Sequence, residues 1–102
     1  MYSKVYNLKF PSMDEAKIGV SYLSEDFGGS ISDFNILSLN ILLDKCGVVA
    51  VTVKFDTLEE MAAFVKEKQE VFESLKKSFC LRYTELSAVA VYSFEREASS
   101  VV

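Results

Sequence analysis

The chain has 102 residues and a net charge of −4, with half of its residues hydrophobic and a quarter charged. That composition fits one globular domain able to bury roughly two thirds of its unfolded surface, and it excludes a disordered chain. An acidic chain without a basic stripe is a poor partner for nucleic acid, whose phosphates demand clustered Lys and Arg.

The absence of histidine removes Ser-His and Cys-His nucleophile pairs and any histidine base or metal triad. Catalysis would fall to Asp, Glu, Lys, Tyr, Arg or a bound cofactor. Cys46 and Cys80 are widely spaced, with no second thiol near either. They read as free thiols in a reducing cytoplasm, with no metal site and no cofactor expected. No apolar run approaches the roughly 20 residues of a membrane span, and Met1 to Phe10 alternates as no leader segment does.

Tyr2 to Phe10 reads as a strand with Tyr6, Leu8 and Phe10 on one face and Val5, Asn7 and Lys9 on the other. Pro11 stops further ladder bonding. Ser12-Met-Asp-Glu15 is a capping box, and Met13, Ala16, Val20, Leu23 and Phe27 give the following helix one apolar stripe. Gly28-Gly29 ends that helix, while Gly19 inside it is expected to permit close approach to the sheet.

Phe34 to Phe55 reads as a hairpin. If Lys45-Cys46-Gly47 is a three-residue loop closed by a positive-φ glycine, Leu43 pairs with Val49, Ile41 with Val51, Leu39 with Val53 and Leu37 with Phe55. A four-residue loop would mix the faces, so the glycine-closed loop is expected. The opposite face then carries Phe34, Ile36, Ser38, Asn40 and Leu42 against Val48, Ala50, Thr52 and Lys54.

Asp56/Glu59 and Thr57/Glu60 both have capping-box spacing ahead of a second helix of about six turns. Its stripe runs Met61, Phe64, Val65, Lys68, Val71, Phe72, Leu75 and Phe79. Lys68 is expected to lay its stem along the sheet edge with its amine in water. Leu81 to Phe94 is strand-like, as one bent strand or two short ones joined at Ser87.

The element order is β-α-β-β-α-β, which predicts a ferredoxin-like α+β domain over residues 1–102, an antiparallel sheet with two helices on one face. RNA-recognition motifs share this order but carry a basic aromatic signature, whereas the third strand here reads Val48-Val-Ala-Val-Thr-Val-Lys-Phe55. ACT domains usually carry a glycine-bearing loop after the first strand, where this chain has Phe10-Pro-Ser-Met-Asp-Glu15.

The long second helix beginning Asp56-Thr-Leu-Glu-Glu-Met61, and a sheet apolar on both faces, resemble the dimeric α+β-barrel superfamily over residues 2 to 95. That superfamily includes antibiotic-biosynthesis monooxygenases and stress-responsive barrel proteins. The resemblance implies a homodimer in which two sheets pack face to face about a two-fold axis, with a pocket inside the barrel or between sheet and helices. Its enzymes hold substrates with histidine, tryptophan, asparagine or arginine; this chain retains only the last two.

An apolar second sheet face marks an interface or a ligand site. Asn7, Phe34, Ile36, Ser38, Asn40, Thr52 and Lys54 are the candidate ligand-binding residues on it, joined by Arg82, which could hold a carboxylate or pair with Glu85. Three readings follow. One is a dimer binding a small, mainly apolar molecule, a fatty-acid-like carboxylic acid or a ketone. A second is a cofactor-independent monooxygenase or isomerase with Asn7 or Asn40 polarising a carbonyl. The third is a non-catalytic dimerisation module.

Overall fold

A computed structural model describes residues 1–94 and 96. Period-two alternation sets β1 (Tyr2–Lys9), with Lys4, Tyr6 and Leu8 buried on one side and Asn7 and Lys9 exposed on the other. Ser12 caps α1 (Met13–Gly28): its hydroxyl accepts from the Glu15 N–H at 3.2 Å and donates to the Glu15 carboxylate at 3.0 Å. Strands β2 (Ser38–Leu43) and β3 (Val48–Phe55) form the hairpin, followed by α2 (Leu58–Ser78) and β4 (Arg82–Val89). The four strands make one antiparallel sheet in the order β2-β3-β1-β4.

The glycine-closed hairpin has the expected register, with Leu43 opposite Val49, Ile41 opposite Val51 and Leu39 opposite Val53. Gly47 sits at φ +88°, where a side chain is disfavoured. The Asp44 carboxylate accepts from the Cys46 and Val48 N–H groups at 2.8 and 2.9 Å, and those bonds hold its pKa below the ordinary value.

Both helices lie on one face, α1 over β2 and β3 and α2 over β1 and β3. Between them the core is largely aromatic. Tyr6 stacks on Phe72 at a centroid distance of 4.1 Å, and Phe27 meets Phe64 edge-on at 5.0 Å. Of the two capping boxes at the start of α2, Thr57/Glu60 is used, with Thr57 Oγ1 accepting from the Glu60 N–H at 3.1 Å.

Four sequence expectations change. Phe34 and Ile36 do not lie on the open sheet face. The chain turns through residues 31–35, Asn35 adopts φ +52°, and strand alternation begins only at Ser38. Phe34 therefore packs edge-on to Phe64 at 5.5 Å, and Ile36 also packs against the core. Secondly, β4 stops at Val89. The last ladder-like bond runs from the Ala90 N–H to the Met1 carbonyl, and residues 91–94 find no strand to pair with among the described residues.

The Lys68 amine, thirdly, is not in water: Nζ lies 2.6 Å from Asp26 Oδ1 and 2.6 Å from Ser30 Oγ. Its stripe position on α2 faces the C-terminal end of α1, whose polar groups claim it. Finally, Arg82 and Glu85 point to opposite faces of β4, three residues apart, so they cannot pair.

Candidate functional site

Six of the eight residues singled out in the sequence fall together on the open face. The register builds rows across it: Ser38–Lys54–Ser3–Ala88, then Asn40–Thr52–Val5–Leu86, then Leu42–Ala50–Asn7–Thr84, ending in Val48–Lys9–Arg82. No helix covers these rows, and Leu42 and Leu86 remain 62% and 58% exposed. Asn40 Nδ2 donates weakly to Ser38 Oγ at 3.4 Å, while Lys9 donates to the Cys46 carbonyl at 2.6 Å and is drawn away from Arg82. A depression of about 140 Å³ beside Asn7, Lys9, Val48, Arg82 and Thr84 is the concave part of this face. Phe34 and Ile36 take no part in it.

A second site lies on the helix side, where two helices cover three strands and leave the inner face of β4 open beside α2. A cavity of about 200 Å³ there is lined by Tyr6, Val65, Gln69, Phe72, Glu73, Lys76, Tyr83 and Glu85. Its floor is aromatic: Phe72 lies 4.1 Å from Tyr6 and 5.3 Å from Tyr83, centroid to centroid.

Its polar rim is a network centred on Glu85. Lys4 Nζ donates to Glu85 Oε1 and, at 2.9 Å, to Ser87 Oγ; the Tyr83 hydroxyl donates to Glu85 Oε2. Lys76 pairs with Glu73 at 3.2 Å and rides 4.8 Å above the Tyr83 ring. The network tunes its members in opposite directions. Hydrogen bonds from Lys4 and then Tyr83 hold the Glu85 carboxyl below its ordinary pKa. Burial, with the Glu85 charge next, pushes the Tyr6 phenol well above its own, and burial plus the hydrogen bond to Glu85 does the same for Tyr83.

These shifts predict stability at both ends of the pH scale. A lowered carboxyl pKa stabilises the fold above the ordinary carboxylate range, and that contribution is lost as pH falls through the lowered value. Raised phenol pKa values stabilise the fold up to about pH 10 and the contribution is lost as the unfolded tyrosines ionise above it. Thermal melts across pH should show Glu85→Gln flattening the acid limb and Tyr83→Phe flattening the alkaline one. Unchanged limbs in both variants would refute the network's role.

The sequence pattern puts Tyr6 on the face of Leu8 and Phe10 and offers Glu85 only as a partner for Arg82. Two signals pointed to the cleft. Lys4 shares a face with Tyr6, Leu8 and Phe10, so a buried cation needed a partner; Tyr83, Glu85 and Ser87 alternate as three polar groups on one face of β4. Among the described residues, no helix is long and apolar enough to cross a membrane, and no three His, Cys, Asp or Glu side chains converge as a metal set. Both cysteines are exposed free thiols.

No family model matches the chain, and no curated protein matches it. Solved structures do. A dimeric ferredoxin-like protein from an uncultured marine organism aligns with a TM-score of 0.70 at 18% identity, over 94% of this chain and 100% of its own. A protein provisionally assigned as an antibiotic biosynthesis monooxygenase from Deinococcus radiodurans aligns with a TM-score of 0.71 at 17% identity, over 94% and 100%. A de novo designed protein with a ferredoxin fold aligns with a TM-score of 0.60 at 17% identity, over 98% and 96%.

Proposed function

We propose that this ferredoxin-like βαββαβ chain, with both helices on one side of a four-stranded antiparallel sheet, works as a homodimer, paired through the open sheet face, that holds a small, mainly apolar molecule in the cleft between β4 and α2. The observation that carries the ligand is the cleft itself, aromatic in its floor with polar side chains converging on its rim. The dimer is supported by the uncovered rows bearing Val5, Leu42, Val48, Ala50 and Leu86, and by a structural neighbour that is itself dimeric. A flat face with neutral amides and hydroxyls among apolar residues suits a self-complementary interface. Two exposed free thiols are consistent with a reducing compartment such as the cytoplasm.

Sedimentation velocity at micromolar concentration should give a dimer, and Leu86→Lys should give a folded monomer by setting a charge into the paired face. A monomeric parent protein would end the pairing argument. For the ligand, native mass spectrometry of untreated protein should find a copurifying small mass that disappears in Val65→Trp, which fills the cleft without touching the open face.

The neighbour assigned as a monooxygenase favours a second reading, a cofactor-independent monooxygenase or isomerase. Asn7 and Asn40 would then polarise a carbonyl from the open face, and turnover would vanish in Asn40→Ala while the dimer persists. A third outcome, a dimer with no bound mass and no turnover, would mark a non-catalytic dimerisation module.

A further inference from the structure

Most of the cleft's polar groups already have internal partners; the Tyr6 hydroxyl and the Gln69 amide do not. Lys4 is held by Glu85 and Ser87, Lys76 by Glu73, and the Tyr83 hydroxyl by Glu85. Tyr6 lines the cavity with only 2% of its surface exposed, yet its hydroxyl makes no hydrogen bond with any described residue. The hydroxyl is not among the fully buried unsatisfied atoms of the described residues, so within the cleft it meets solvent and is open to an incoming partner. The ring is held in place by stacking on Phe72 at an interplanar angle of 21°.

We propose that the Tyr6 hydroxyl is the donor that selects the ligand, and that the ligand is an uncharged carbonyl compound with a flat apolar body of one or two rings. This rests on the reading of the cleft as a small-molecule site and narrows its chemistry. Three features set the class. The first is protonation: burial and the Glu85 charge keep the Tyr6 phenol protonated, so it has a proton to donate.

The second is charge. Glu73 and Glu85 flank the cleft, and the two lysines there are already paired with them, so a carboxylate ligand would enter as a third anion without a free cation. A carbonyl oxygen needs only what Tyr6 offers. The third is size. The cavity of about 200 Å³ is smaller than the roughly 300–1,000 Å³ of drug-sized sites, and its aromatic floor favours a planar body over a long chain.

The test uses three one-ring probes of matched shape, acetophenone, ethylbenzene and benzoate, titrated into the full-length protein and followed by amide chemical shifts. Acetophenone should perturb Tyr6, Phe72 and Tyr83 and bind roughly 3- to 10-fold more tightly than ethylbenzene, the gain of one hydrogen bond. Benzoate should bind more weakly than both. Tyr6→Phe should erase the preference for acetophenone, leave ethylbenzene binding unchanged, and melt at or above the parent temperature, since no internal bond is lost.

Equal binding of acetophenone and ethylbenzene, tighter binding of benzoate, or a preference surviving in Tyr6→Phe would overturn the role of Tyr6 while leaving a ligand cleft in place. A clear drop in the Tyr6→Phe melting temperature would overturn it too, by revealing an internal partner. If none of the three probes perturbs the cleft, the small-molecule reading itself falls.

Discussion

Asp26→Ala is expected to destabilise the fold by roughly 3 kcal/mol, whereas Lys68→Met should leave stability within about 1 kcal/mol of the parent. The two partners of one ion pair differ because their burial differs. The Lys68 side chain is 9% exposed and that of Asp26 is 28% exposed, with 2.6 Å between Nζ and Oδ1. Removing the carboxylate strands a cation among Phe27, 5.7 Å from Nζ, and Ser30, whose hydroxyl supplies one neutral bond. Removing the lysine instead lets Asp26 turn to water, and a methionine stem still covers Phe27.

The double variant should recover most of the Asp26→Ala loss, because no unpaired charge remains. Urea unfolding with an unchanged m-value reads all three. Equal losses in the two single variants would sink the argument. The pair ties the last turn of α1 to the middle of α2, a join that no strand supplies.

Much of this fold was legible because the sequence states its constraints locally. Gly47 fixed the hairpin register, the register sorted Ser38, Asn40, Thr52 and Lys54 onto one face, and the alternation of β1 added Asn7. What misled was continuing a period beyond its element. Phe34 and Ile36 fit the alternation of β2, but Asn35 at φ +52° turns the chain before the strand begins. Val91, Tyr92 and Phe94 fit a strand as well, and among the described residues they have no partner strand once β1 ends. A side-chain pattern says which face would be buried; it does not say whether a neighbour exists.

The cleft was harder to see for a related reason. Its members come from β1, β4 and α2, and they meet only because β4 lies outside the cover of the two helices. Lys4 and Lys68 were both readable as cations at apolar positions. Their partners, Glu85 and Asp26, lie 81 and 42 residues away and could not be chosen from spacing. A buried charge seen in a sequence therefore predicts that a partner exists without naming it.

Gly19→Ala should cost about 2 kcal/mol, although alanine is the better helix former by about 1 kcal/mol. A Cβ at this position would stand 2.4 Å from Phe10 Cζ and 2.9 Å from Cε2, far inside contact distance. Phe10 cannot yield freely: it is 1% exposed and meets Phe79 edge-on at 5.4 Å, just where the chain leaves α2 for β4. The glycine is what lets α1 settle onto the end of β1, and the overlap outweighs the propensity gain.

Phe10→Leu removes the atoms nearest the new methyl. In that background Gly19→Ala should become neutral or stabilising, a reversal of sign that a double-mutant cycle by chemical denaturation measures directly. Because Phe10 bears on Phe79, the strained single variant should also shift amide resonances along β4, while the double variant restores them. A Gly19→Ala protein as stable as the parent would mean that the helix–sheet spacing adjusts freely, and that the aromatic layer beneath α1 is softer than its packing implies.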